Sequence, residues 1–189
     1  MSLPEDRLER LRRARRIAIV GNGGGGKTTL ARALGRTLDL PVTHVDSVQF
    51  LPGWRVRDRA ETARLLDAVA AGERWILDGF GGRECIARRL AAAEVTVLVD
   101  LPLVVHLARG LRRQLAAARA PRAELPADCP EASLRRTLRL AWTLLRVHRD
   151  EVPWLRARVG ELPPDRRVVL RSRRDLDALY RALVRVDVR

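Results

Sequence analysis

Gly21-Asn22-Gly23-Gly24-Gly25-Gly26-Lys27-Thr28 decides how this chain is read. Lys27 is the single lysine among the 37 lysine and arginine residues of a 189-residue sequence. Guanidinium is a planar fork, whereas an ammonium is a compact charge on a thin stem that threads into a tight glycine loop. The segment fits G-x-x-x-x-G-K-[ST], in which backbone N–H groups wrap a polyphosphate, the lysine reaches the β- and γ-phosphates and the hydroxyl serves magnesium. Its flanks agree. Arg16-Ile17-Ala18-Ile19-Val20 is a short β-branched run. Leu30, Ala33, Leu34 and Leu38 then recur at the spacing of a helix stripe. Strand, glycine loop and helix in that order aim free N–H groups and a helix dipole at an anion. A flexible glycine linker needs neither flank.

Outward from the loop, strand-like and helix-like patterns alternate, which predicts an α/β fold with a mostly parallel sheet. Residues 40–45 read as a second strand ending at Asp46, residues 74–77 as a third ending at Asp78, and residues 95–99 as a fourth ending at Asp100. Helices are expected over 58–71, 83–92 and from Pro102 to about residue 118. Pro121, Pro126 and Pro130 break the periodicity of 120–130, which reads as a loop. Helical spacing returns over 131–151, with Leu134, Leu138, Ala141, Trp142 and Leu145 on one face and Arg135, Arg136, Arg139, Arg146 and Arg149 opposite. Pro153 ends or kinks that helix. Residues 167–170 supply a fifth strand, and 175–184 a closing helix. The chain reads as one domain: a nucleotide-binding core over 15–118, a helical lid region over 119–160 and a closing strand and helix over 165–189.

Three strand ends therefore carry an aspartate on the side where ligands bind in open parallel sheets. A single strand-end aspartate is often a helix cap; three beside a phosphate loop read as a metal- and proton-handling rim. Cys85 and Cys129 have no metal-ligand spacing and imply no disulfide framework. No signal sequence or membrane-length apolar run is visible, which points to a cytoplasmic protein. The formal charge of +14 invites nucleic acid. The arginines are dispersed among 23 acidic residues, so small anionic substrates would be drawn in equally well.

The loop with Thr28 and Thr29, the Leu77-Asp78-Gly79-Phe80 segment and Val99-Asp100-Leu101-Pro102 resemble the adenylate kinase-like group of P-loop kinases. Val45 to Trp54, Trp75 to Gly79 and Asp128-Cys129-Pro130-Glu131 are similar to the subgroup of DNA topology modulation, or FlaR-like, proteins. The resemblance implies a three-layer α/β/α P-loop NTPase fold with a five-stranded sheet and a helical lid, with ATP and Mg2+ as cofactors. Gly21, Asn22, Gly23, Gly24, Gly25, Gly26, Lys27, Thr28 and Thr29 would bind nucleotide. One departure is plain: Gly81 and Gly82 stand before Arg83, where adenylate kinases place proline and then arginine.

Phosphoryl transfer is mostly positioning and charge neutralisation. On that basis N–H groups from Gly23 to Thr28 and the Lys27 ammonium hold the β- and γ-phosphates. Thr28 ligates magnesium, Asp78 orients its water shell, Asp46 accepts or orients the acceptor hydroxyl, and Asp100 either shares this rim or only holds the strand-to-helix turn. Arg109 and Arg113 share a helix face where similar kinases carry lid arginines, with Arg112 competing for the role and Arg83 placed near the acceptor. Trp54 either stacks on the acceptor or packs; Trp142 and Trp154 are assigned to packing, and structural roles to His44, His106 and His148. Two readings follow. One is a kinase of a small hydroxylated or nucleotide acceptor. The other is a P-loop ATPase or nucleotide-gated protein acting on DNA, to which the Arg135–Arg149 helix would contribute.

Overall fold

In a computed structural model describing residues 5–117 and 134–184, the elements begin with α1 (Glu5–Arg13), β1 (Arg16–Gly21), α2 (Lys27–Leu38) and β2 (Val42–His44). They continue with α3 (Val45–Gln49), β3 (Phe50–Leu51), β4 (Arg55–Val56), α4 (Arg59–Ala70) and β5 (Trp75–Asp78). Next come α5 (Arg83–Ala92), β6 (Val95–Val99), α6 (Leu103–Ala117), α7 (Leu134–Asp150), α8 (Val152–Gly160), β7 (Arg167–Leu170) and α9 (Arg173–Val184).

Five strands form one sheet in the order β2-β5-β1-β6-β7, and every neighbouring pair is parallel. The order follows from alternation in β1. Ile17 and Ile19 face Leu30 and Leu34 of α2 with Leu176 and Leu179 of α9, while Ala18 and Val20 face Ile86 of α5 and Leu155 of α8. Both faces are thereby covered, giving three α/β/α layers, as strands apolar on both sides require. The chain passes from β5 to β6 on the opposite side of β1, and this reversal opens a crevice at the carboxyl ends of the strands. Register sets Ile19 opposite Asp78 and Gly21 opposite Val99, so the glycine loop leaves β1 beside Asp78.

Several expectations are corrected. Asp46 does not end a strand: β2 stops at His44, and Asp46 lies in the first turn of α3. The charged N-terminal stretch forms α1 because Leu8 and Leu11 share a buried face. Phe50 to Val56 folds into an antiparallel hairpin around Gly53, whose φ of +72° suits glycine. Pro153 ends α7 and sits in the first turn of α8, where its missing N–H costs no helix bond.

The buried face of α7 also differs. Leu138, Trp142 and Leu145 are 63%, 61% and 45% exposed, so Trp142 does not pack in the core. The helix instead turns Leu140 and Leu144 inward, where Gly23 and Gly110 leave room for the leucine side chains. Two leucine faces satisfied the helical period, and the glycine surfaces opposite selected between them. Among the described residues, no helix is long and apolar enough to cross a membrane.

Candidate active site

The phosphate loop is built where only glycine fits. At Gly21, with φ +139°, a Cβ would collide with the Val99 carbonyl. Gly24 and Gly26 have φ of +69° and +92°, and a Cβ on Gly24 would lie 2.6 Å from the His106 carbonyl oxygen. The Gly23 N–H donates to Asn22 Oδ1 at 2.8 Å, so the amides left to face a phosphate start at Gly24 rather than Gly23. Lys27 Nζ donates to the Asn22 carbonyl at 2.9 Å. Thr28 is half-buried inside the site, whereas Thr29 faces outward.

Asp78 collects two polar neighbours at the end of β5. Its Oδ2 accepts the Thr28 hydroxyl at 2.9 Å and lies 3.0 Å from His44 Nδ1. Its Oδ1 is buried without a hydrogen-bond partner. A buried carboxylate oxygen without a partner beside a hydroxyl suits a hard cation that takes oxygen ligands, so Thr28 and Asp78 fit magnesium. Below them, Arg89 is 3% exposed and donates through one terminal nitrogen to the carbonyls of Gly79 (2.7 Å) and Phe80 (3.2 Å). Burial pulls its pKa down to about 10, and the Asp78 charge acts in the opposite direction. Sequence reading missed Arg89, although an arginine in register with Ile86 and Leu90 on the buried side of α5 was the available signal.

His106 supports the loop from α6, its Nδ1 lying 2.6 Å from the Gly23 carbonyl oxygen. Desolvation lowers its pKa, Lys27 and His148 push the same way, and the Gly23 contact opposes them. The unfolded histidine takes up a proton near pH 6.5, whereas the folded one waits for a lower pH. Between those values the unfolded state binds more protons, so stability falls as pH drops below about 6.5. His106→Asn is therefore expected to flatten the melting temperature profile between pH 7 and 5. An unchanged slope would remove His106 as its cause.

Asn22, Gly23, Lys27, Thr28, His44 and Asp78 line a cavity of about 1090 Å3. The rest of its lining comes from Asp46, Gln49, Phe50 and Trp54, from the Gly79–Gly82 turn, and from Arg135, Arg139 and Thr143 of α7. Phe50 and Trp54 meet edge to face with centroids 5.2 Å apart. Arg57 is spent on Glu61 (2.6 Å) and the Val48 carbonyl (2.8 Å). Arg59, Arg135 and Arg139 have no carboxylate partner among the described residues and line the cavity. The Gln114 side chain is buried there with Oε1 unsatisfied.

Other expected residues lie elsewhere. Asp100 is held by Arg156 in a bidentate pair, both contacts 2.9 Å, and so closes a structural contact between β6 and α8 rather than a site rim. Arg83 leaves the acceptor wall for Glu151 (2.8 Å) and the Asp150 carbonyl (3.0 Å), and its guanidinium lies 5.5 Å from the half-buried Trp154 ring. Arg109 lies against the outer side of the loop, donating to the Gly25 carbonyl at 3.0 Å. The Arg113 side chain and the 120–130 loop with Cys129 fall outside the described residues.

No protein-family model matches the sequence, and a search of curated proteins finds no match. Solved structures do match in shape. A shikimate kinase from Acinetobacter baumannii in complex with shikimate is 16% identical with a TM-score of 0.59, over 95% of this chain and 94% of that one. A shikimate kinase from Bacteroides thetaiotaomicron is 16% identical with a TM-score of 0.54, over 92% and 97%. At that identity the likeness establishes the fold alone: the chain shares the three-layer α/β/α architecture of these two structures.

Proposed function

We propose that this protein is an ATP-dependent kinase that transfers the γ-phosphoryl group to a small hydroxylated acceptor, a nucleotide included. The observation that carries the proposal is one cavity lined both by Lys27, Thr28 and Asp78 and by Asp46, Arg59, Arg135 and Arg139. The loop amides from Gly24 and the Lys27 ammonium hold the β- and γ-phosphates. Thr28 and Asp78 would hold magnesium, which when bound would supply charge neutralisation on the transferred group. Asp46, exposed on α3 and lining the cavity, orients the acceptor hydroxyl and receives its proton. Arg59, Arg135 and Arg139 favour an acceptor with an anionic group, because guanidinium pairs with carboxylate or phosphate through two parallel hydrogen bonds. The Arg109 and Arg113 lid role belongs to a closed state, with Arg109 swinging from the loop's outer side. An ATP-using enzyme of this kind is expected in the cytoplasm.

The DNA reading rests on the basic α7, two of whose exposed arginines, Arg135 and Arg139, also line the cavity and are placed to meet a small anionic acceptor. The likeness to the topology modulation subgroup rests on the sequence motifs alone. Purified protein with ATP and magnesium separates the two. Acceptor-stimulated ADP release supports the kinase; DNA-stimulated hydrolysis that collapses with salt transfers support to the alternative. Once an acceptor is found, Arg139→Gln is expected to raise its KM by about 10- to 100-fold, the equivalent of one charge-assisted hydrogen bond, with a smaller change in kcat. An unchanged KM would take Arg139 out of acceptor binding.

A further inference from the structure

Asn22 occupies a position where the phosphate-loop motif accepts any residue, yet it is 2% exposed and used at three points. Its Oδ1 accepts the Gly23 N–H (2.8 Å), its own carbonyl accepts Lys27 Nζ (2.9 Å), and its Nδ2 donates to the Leu144 carbonyl in the middle of α7 (2.9 Å). The Leu144 side chain fills the same junction, 2% exposed, close enough that a Cβ on Gly23 would lie 2.8 Å from Leu144 Cδ2. The acceptor-wall helix is thus fastened to the phosphate loop by one side chain and one leucine. Arg139 stands five residues from Leu144, about 7.5 Å along a rigid helix, and Arg135 one turn further.

Lys27 is held by the Asn22 carbonyl, and a phosphate that draws the ammonium away releases that peptide group. The same residue's side chain holds α7. We propose that Asn22 is a positioning residue that transmits nucleotide occupancy of the phosphate loop to α7, and thereby sets Arg135 and Arg139 for the acceptor. This rests on the kinase reading, in that ATP is taken to occupy the loop. A ligand shifts a second element only when its own contacts differ between two arrangements, and the Lys27–Asn22 bond supplies that difference.

The test is hydrogen exchange on the full chain, with and without a non-hydrolysable ATP analogue and magnesium, following loop amides 23–28 and α7 amides 140–148 separately. In the wild type both segments slow, α7 by about fivefold or more, the lower end of ordinary coupling. In Asn22→Ala, and in Asn22→Leu, which fills the volume without hydrogen bonds, the loop still slows and the α7 response is lost. A purely structural Asn22 would speed α7 exchange equally with and without nucleotide, leaving the ratio intact, and that result overturns the proposal. So does a wild-type α7 that ignores nucleotide while the loop responds. A loop that fails to respond in the wild type overturns the nucleotide reading itself, and the coupling with it.

Discussion

Lys27→Arg is expected to keep the fold and the charge while nucleotide turnover falls by at least about 100-fold, the scale on which a misplacement of roughly 1 Å acts. The loop cannot widen to take the larger head. A Cβ on Gly25 would lie 2.9 Å from Val99 Cγ1, so β6 presses on the loop from outside. Gly24 is similarly confined by the His106 carbonyl. A guanidinium in place of the ammonium either stays on the Asn22 carbonyl or pushes the phosphate out of line. The check is steady-state turnover beside a thermal melt: a melt close to wild type with turnover lost supports the geometry. Wild-type turnover would show that charge alone suffices and would remove the reason for a single lysine in an arginine-rich chain.

The fold was legible where periodicity and local chemistry agree. The β-branched run before Gly21, the glycine loop and the leucine stripe of α2 each specify their own element, and together they predict the sheet's central strand. The strand-end position of Asp78 survived because β5 is apolar throughout and buried, with Asp78 as its last residue. Asp46 and Asp100 share the same strand-end pattern, but Asp46 is taken into α3, which begins one residue before it, and Asp100 is captured by Arg156, 56 positions away. No local rule carries that information. The orientation of α7 was hidden for a related reason. Leu138, Trp142 and Leu145 make as good an apolar stripe as Leu140, Leu144 and Val147, and what selects the second is the absence of side chains on Gly23 and Gly110. With that choice made, Arg135 and Arg139, both exposed, line the cavity. The exposed arginine face expected from the sequence becomes in part a cavity wall.

Asp78→Asn is expected to lower turnover by about 100- to 1,000-fold, the usual loss when one group stabilising transition-state charge is removed. The amide has nearly the same shape, and its oxygen still accepts the Thr28 hydroxyl now paired at 2.9 Å. Its nitrogen, however, takes the Oδ1 position and brings two donors to a buried place with no hydrogen-bond partner, while His44 Nδ1 stays beside the amide oxygen. A nitrogen donor neither ligates magnesium nor accepts from its water shell, so the variant is expected to need much more magnesium to reach its residual rate. Asp78 also acts on structure, since its charge favours the buried Arg89 cation, and its loss leaves that cation held only by the Gly79 and Phe80 carbonyls. A lower melting temperature is therefore expected under either role. What separates them is the rate per folded molecule as magnesium is titrated in single-turnover phosphoryl transfer. If Asp78 merely balances Arg89, folded Asp78→Asn protein turns over normally at ordinary magnesium. If it holds the metal, the rate stays depressed and rises only with excess magnesium.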